Sequence, residues 1–292
     1  MRALRSSAVL VTLLAGLTAS AAATGLPPVI APPPVFTGGT VRAPAVDAVI
    51  GERPEIWRGA RVVRGRWAVV VGGRGAAPAT LADLARRADR ASRATVAILG
   101  LAGPPRPLVL VPDTTAQAAT LAAPAAVSGL AALAATDRMI IEPESFARLT
   151  PTGRDVVLAH ELTHLVTGAA ADGRTPKWLV EGFADYVGHR DAGLPVPVAA
   201  AELAADVRAG RAPDGLPLPG DFAAGAPRLA QAYQEAWLAC RYVAGRFGER
   251  TLVTLYRESM RGDVDAAARR TLGMTMPELA AAWRGYVREE LS

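Results

Sequence analysis

The stretch Val157-Leu158-Ala159-His160-Glu161-Leu162-Thr163-His164-Leu165 is an apolar, helix-forming run that holds two of the chain's three histidines. In an α-helix, residues four apart lie about 40° from each other around the axis, so His160 and His164 present their rings side by side to one point in space. That spacing predicts a two-imidazole metal site. Glu161 comes next around the same side, within reach of a water on that metal, where a carboxylate takes a proton. Leu158, Leu162, Leu165 and Ala169 cluster on the opposite side and back the histidine face with apolar surface. The alternative is two ordinary helix histidines at this spacing by coincidence, which three histidines in 292 residues rarely produce.

Two imidazoles do not complete a catalytic zinc site, which uses three protein ligands and leaves a fourth position open. His189 is the only other histidine. Within 17 residues of His164, however, lies a second amphipathic stretch, Trp178-Leu179-Val180-Glu181-Gly182-Phe183-Ala184-Asp185-Tyr186. Thr175 and Pro176 read as its N-cap and first turn. Glu181 and Asp185 share one face, while Leu179, Phe183 and Tyr186 fall on the back. Gly182 leaves room for another helix to approach closely. Acidic residues four apart also fit a plain solvated face.

Taken together, the two stretches resemble the gluzincin metallopeptidases, most closely the peptidase MA-like domains of exported bacterial proteins. The string from Trp178 to Tyr186 is also similar to aminopeptidase N-like enzymes. The resemblance implies that His160, His164 and Glu181 bind Zn2+ and that Glu161 is the general base. It puts Asp185 where thermolysin-like relatives keep the carboxylate that orients the first metal-binding histidine. The implied fold is α+β and zincin-like: a small mixed sheet beside the active-site helix, then a mainly helical C-terminal lobe.

Residues 1–23 carry Arg2 and Arg5, an apolar run over 8–17 and small residues at the end, the pattern of a signal peptide. A membrane anchor is the competing reading, but the run is shorter than the roughly 20 residues that span a bilayer. Without that segment, 30 basic side chains face 27 acidic ones, too small an excess to argue for nucleic acid. The expected location is secreted or extracytoplasmic, with no stable membrane anchor. Cys240 is the single cysteine, so no intrachain disulfide forms, and its place on an apolar helical stripe marks it as a buried small hydrophobe.

Residues 24–46 hold six prolines and read as an extended spacer, so the folded domain is expected over 47–292, its α/β part reaching about residue 170. Residues 61–63 and 66–71 predict a hairpin about Arg64-Gly65. A helix is expected over 80–99, ended by Gly100, with short buried strands over 107–112 and 138–142. Family geometry suggests a substrate-pairing sheet edge near 129–135, a run equally suited to a helix. Thr150 and Pro151 start the metal-binding helix. Further helices are expected over 198–209, 229–247, 251–260, 264–272 and 276–291, with a Gly/Pro-rich loop over 210–227 that reads as a plain connector, the alternative being a segment that covers or borders the cleft.

The reaction implied by the resemblance is peptide-bond hydrolysis by an exported zinc metallopeptidase acting on peptide or protein substrates. Family members add a Tyr or His that hydrogen-bonds the developing oxyanion. His189 reads as a surface or capping residue and Tyr186 as core, which leaves Tyr233, although its stripe with Leu229 and Trp237 also fits simple burial. The competing class is a zincin-fold binding or structural protein that keeps its metal without turnover. Retention of Glu161 favours the enzyme, because a structural zinc needs no general base.

Overall fold

Short β-branched runs build the centre of the molecule, and long alanine- and leucine-rich segments wrap it. The computed structural model describes residues 46–127 and 129–292. The expected signal peptide and all but the last residue of the expected spacer lie outside the described residues.

Helix α1 (Val46–Glu52) leads into an antiparallel hairpin of β1 (Arg61–Arg64) and β2 (Val69–Gly72), with Arg61 opposite Gly72 and Arg64 opposite Val69. The hairpin was expected to turn at 64–65, but residues 65–68 form the connection, closed by the Gly65 N–H on the Ala68 carbonyl at 2.9 Å. The cause is Asp89 on α2 (Pro78–Leu99), whose carboxylate accepts the backbone N–H groups of Arg66, Trp67 and Ala68 at 2.7, 2.9 and 2.9 Å. Those donors are turned toward the helix and not along the ladder.

Strand β3 (Leu108–Val111) lies parallel to β2. After α3 (Thr115–Ala122), β4 (Ala132–Ala134) and β5 (Met139–Ile141) complete the five-stranded mixed sheet in the order β1-β2-β3-β5-β4. The run near 129–135 is thus an edge strand and not a helix. Alanine's helical preference yields to pairing with β5, in which Ala132 faces Ile141 and Ala134 faces Met139.

Alternate side chains serve the two faces of the sheet. Val70, Val109, Met139 and Ile141 pack toward α2 and the helix that carries His160 and His164, whereas Val71, Leu108, Leu110 and Ile140 pack toward α1, α3 and Trp57. Both faces are covered, as parallel strands require, which explains why β3 is apolar at every position.

All elements after the sheet are helical. Helices α4 (Pro143–Arg148), α5 (Pro151–Thr167) and α6 (Lys177–His189) are followed by α7 (Val196–Ala199) and α8 (Ala201–Arg208). The single helix expected over 198–209 is divided because Ala200 leaves the helical region at φ −111°, ψ 47°. Helices α9 (Leu229–Phe247), α10 (Glu249–Arg261), α11 (Val264–Leu272) and α12 (Met276–Leu291) end the chain. The 210–227 connector contains one 3-10 turn, Pro219–Phe222. Among the described residues, no helix is long and apolar enough to cross a membrane.

Two glycines set the helix spacing around the site. A β-carbon on Gly182 of α6 would lie 2.2 Å from the carbonyl oxygen of Ala236 on α9, and one on Gly188 would lie 2.9 Å from that of Val156 on α5. The helices are therefore closer than any side chain at those positions allows.

Candidate metal centre

Helix α5 begins as its sequence suggests, with the Thr150 hydroxyl accepting the Gly153 N–H at 3.0 Å and Pro151 in the first turn. One helical turn separates His160 from His164, and their ring centroids stand 4.5 Å apart at 79°. Leu158 and Leu162 are fully buried behind them, and Leu165 is partly buried. Ala169 is also buried but lies past the helix end, in a 3-10 turn.

Helix α6 begins differently from expectation. Pro176 occupies the N-cap position and offers no side-chain cap. The Thr175 hydroxyl instead donates to Asp172, whose carboxylate also accepts the Thr175 N–H at 2.9 Å. This turn brings α6 back against α5, so Glu181 meets both imidazoles. Its Oε2 lies 3.3 Å from Nε2 of His160 and 3.3 Å from Nε2 of His164.

These three side chains form a group that could hold a metal ion, with ligand atoms all within 4.8 Å of one another. His160 and Glu181 have no exposed surface, and His164 keeps 4%. Zinc with ligands near 2.0–2.2 Å in a tetrahedral arrangement sets donor atoms about 3.3 Å apart. Both histidine–glutamate pairs have that spacing, while the two Nε2 atoms are closer, at 2.8 Å. Neither Oε1 nor Oε2 of Glu181 accepts a hydrogen bond in good geometry although both are fully buried. Such an oxygen facing two imidazole nitrogens fits a cation.

Asp185, one turn beyond Glu181, accepts a hydrogen bond from Nδ1 of His160 at 2.7 Å. With Nδ1 turned to Asp185, it is Nε2 that points into the cluster. Burial disfavours a charged His160, but Asp185 and then Glu181 outweigh it and raise the group to about 10. His164 is lowered, chiefly by burial. Burial opposes charge on Glu181 as well, yet His164, His160 and Lys177 hold it well below the usual carboxylate range. The Lys177 ammonium lies 2.8 Å from Glu181 Oε1.

Glu161 is 2% exposed, and burial pushes its carboxyl up to about 8. Glu181 and Asp185 add to that rise; His160 and a hydrogen bond from the backbone of Ala134 work against it. Ala134 belongs to edge strand β4, so the glutamate side chain reaches from α5 to the sheet edge. A buried carboxyl that titrates near neutrality can both accept and return a proton.

The remaining candidates divide. The Tyr233 ring lies 6.5 Å from that of His160 and is only 3% exposed, so it is both packed in the core and beside the cluster. His189, expected as a surface or capping residue, is half-buried at the last position of α6, where the capping alternative fits better. Its Nδ1 meets the Asp185 carbonyl oxygen at 3.1 Å and its ring lies 4.8 Å from that of Trp237. Tyr186 is half-buried and donates to Glu249 at 3.0 Å. Cys240 is fully buried, which drives its thiol well above the ordinary range.

Two neighbours of the site escaped the sequence reading. Lys177 precedes Glu181 by one helical turn, a spacing visible in the sequence. Phe222 is the one aromatic residue of the 210–227 segment, and it is buried with its ring 5.2 Å from that of Tyr233. Of the two readings of the 210–227 loop, this contact favours the one in which it borders the cleft.

No family model and no curated protein matches the chain. Among solved structures, a two-domain M1 zinc metallopeptidase, a mutant with L-arginine bound, aligns at 17% identity with a TM-score of 0.43. The alignment covers 80% of this chain and 51% of the other, so the chain spans about half the length of that protein. A likeness this slight carries neither fold nor function across, and the chemistry below comes from the side chains themselves.

Proposed function

We propose that the chain is a zinc metallopeptidase of the gluzincin kind, acting outside the cytoplasm on peptide or protein substrates. The observation that supports this reading is the convergence of His160 Nε2, His164 Nε2 and Glu181 Oε2 in one buried cluster with Glu161 beside it. Three ligands and an adjacent general base are the parts of a catalytic zinc site and exceed what a structural one needs. Zinc held there supplies Lewis acidity, acidifying water and polarising a carbonyl.

The protein's own groups divide the remaining work. Glu161 takes a proton from the attacking water and returns it to the leaving amine. Asp185 fixes the tautomer and direction of His160. Tyr233 is assigned to the oxyanion, with its hydroxyl donating as negative charge develops. The edge of β4 that does not pair with β5 takes an extended substrate by strand addition, next to Glu161.

Metal analysis paired with a digest of a peptide library, read by mass spectrometry, tests the assignment. Glu161→Ala should keep one zinc per chain and lose cleavage, whereas His160→Ala and Glu181→Ala should lose the metal. Wild-type protein that takes up no divalent ion overturns the proposal. Zinc-loaded protein that cleaves nothing supports the metal-retaining binding protein in its place.

A further inference from the structure

We infer that Lys177 makes Glu181 a one-oxygen metal ligand and holds down the affinity of the site for divalent ions. The inference rests on the metal-binding reading above. Its basis is the division of labour between the two carboxylate oxygens: Oε1 lies 2.8 Å from the Lys177 ammonium, while Oε2 faces both imidazole nitrogens at 3.3 Å. A zinc-binding carboxylate can bind through one oxygen or both. With an ammonium against Oε1, only Oε2 is available to the ion.

The pair is poorly placed to serve the helix. Lys177 is the first residue of α6, where the helix dipole disfavours a cation. Lysine four residues before glutamate is also the weaker order for a helical ion pair. The lysine side chain is 24% exposed and the glutamate is completely buried, so the contact carries a surface cation inward to a carboxylate that otherwise faces the two imidazoles through its second oxygen. Its consequence falls on the metal centre. Two neutral imidazoles and one carboxylate give the ligand set a charge of −1, and the ammonium cancels it. A divalent ion then binds a neutral constellation while repelled by a cation a few ångströms away.

Removing the ammonium acts in one direction twice: the repulsion disappears, and the metal-free state loses one of the cations that stabilise the buried Glu181 carboxylate. Lys177→Met should therefore bind Co2+ more tightly than wild type by at least about tenfold, measured by competition with a chelator. Its visible Co2+ absorption should also weaken as the second oxygen closes on the ion and the coordination number rises. Lys177→Arg should restore wild-type affinity and spectrum. Lys177→Gln, which loses the charge but keeps a donor, should tighten binding without the full spectral change, and it decides the matter if the Met variant does not fold. Unchanged or weaker Co2+ binding in both neutral variants overturns the role of Lys177 alone. Wild-type protein that takes up no Co2+ overturns the metal reading and this inference together.

Discussion

Nδ1 of His160 donates to Oδ1 of Asp185 across 2.7 Å, and the two residues come from different helices. The bond joins α5 to α6 at the level where Glu181 meets both imidazoles, so it orients the His160 ring and fastens two helices at once. Asp185→Asn preserves the shape but removes the anion that fixes the imidazole tautomer. Metal affinity should fall by about 10–100-fold, read by chelator competition. An unchanged dissociation constant would falsify the orienting role.

Tyr233 borders His160 and is covered by Phe222. If its hydroxyl serves the oxyanion, Tyr233→Phe should lower kcat by about 10²-fold while leaving KM and zinc content near wild type. Equal turnover by the two proteins removes Tyr233 from the mechanism and leaves it a core residue.

The crossing of α6 and α9 depends on a missing side chain. Gly182→Ala would set a methyl group 2.2 Å from the Ala236 carbonyl oxygen, which is backbone and has little freedom to move. The helices must separate, and stability should fall by about 1–3 kcal/mol. Chemical denaturation measures this directly, and because Glu181 adjoins Gly182, metal affinity should fall as well.

Glu235, 4% exposed on α9, offers a test away from the metal ligands. Burial, only partly offset by Arg228, raises its carboxyl from the ordinary 4.5 to about 7. Between those values the folded protein holds a proton that the unfolded chain has released, so stability declines as pH rises through the window. The decline is on the order of 3 kcal/mol and is complete by pH 8. Glu235→Gln has no proton to lose, so its denaturation midpoints at pH 5 and pH 8 should differ less than those of wild type. A wild-type pH profile retained in the variant would assign the titration to another group.

The reach of the sequence was set by periodicity and local chemistry. The four-residue spacing of His160 and His164, and that of Glu181 and Asp185, defined two functional faces before any fold was known, because helical geometry alone determines which side chains are neighbours. Caps and breakers such as Thr150, Pro151 and Gly100 marked helix ends for the same local reason. Only the tertiary structure decided what those faces meet. It brought Glu181 to the two imidazoles, turned an alanine-rich run into edge strand β4 beside Glu161, moved the hairpin turn to suit Asp89 on α2, and set Phe222 against Tyr233. Each of these depends on a partner distant in the chain, and the free energy of a long-range contact is not written in the residues on either side of it.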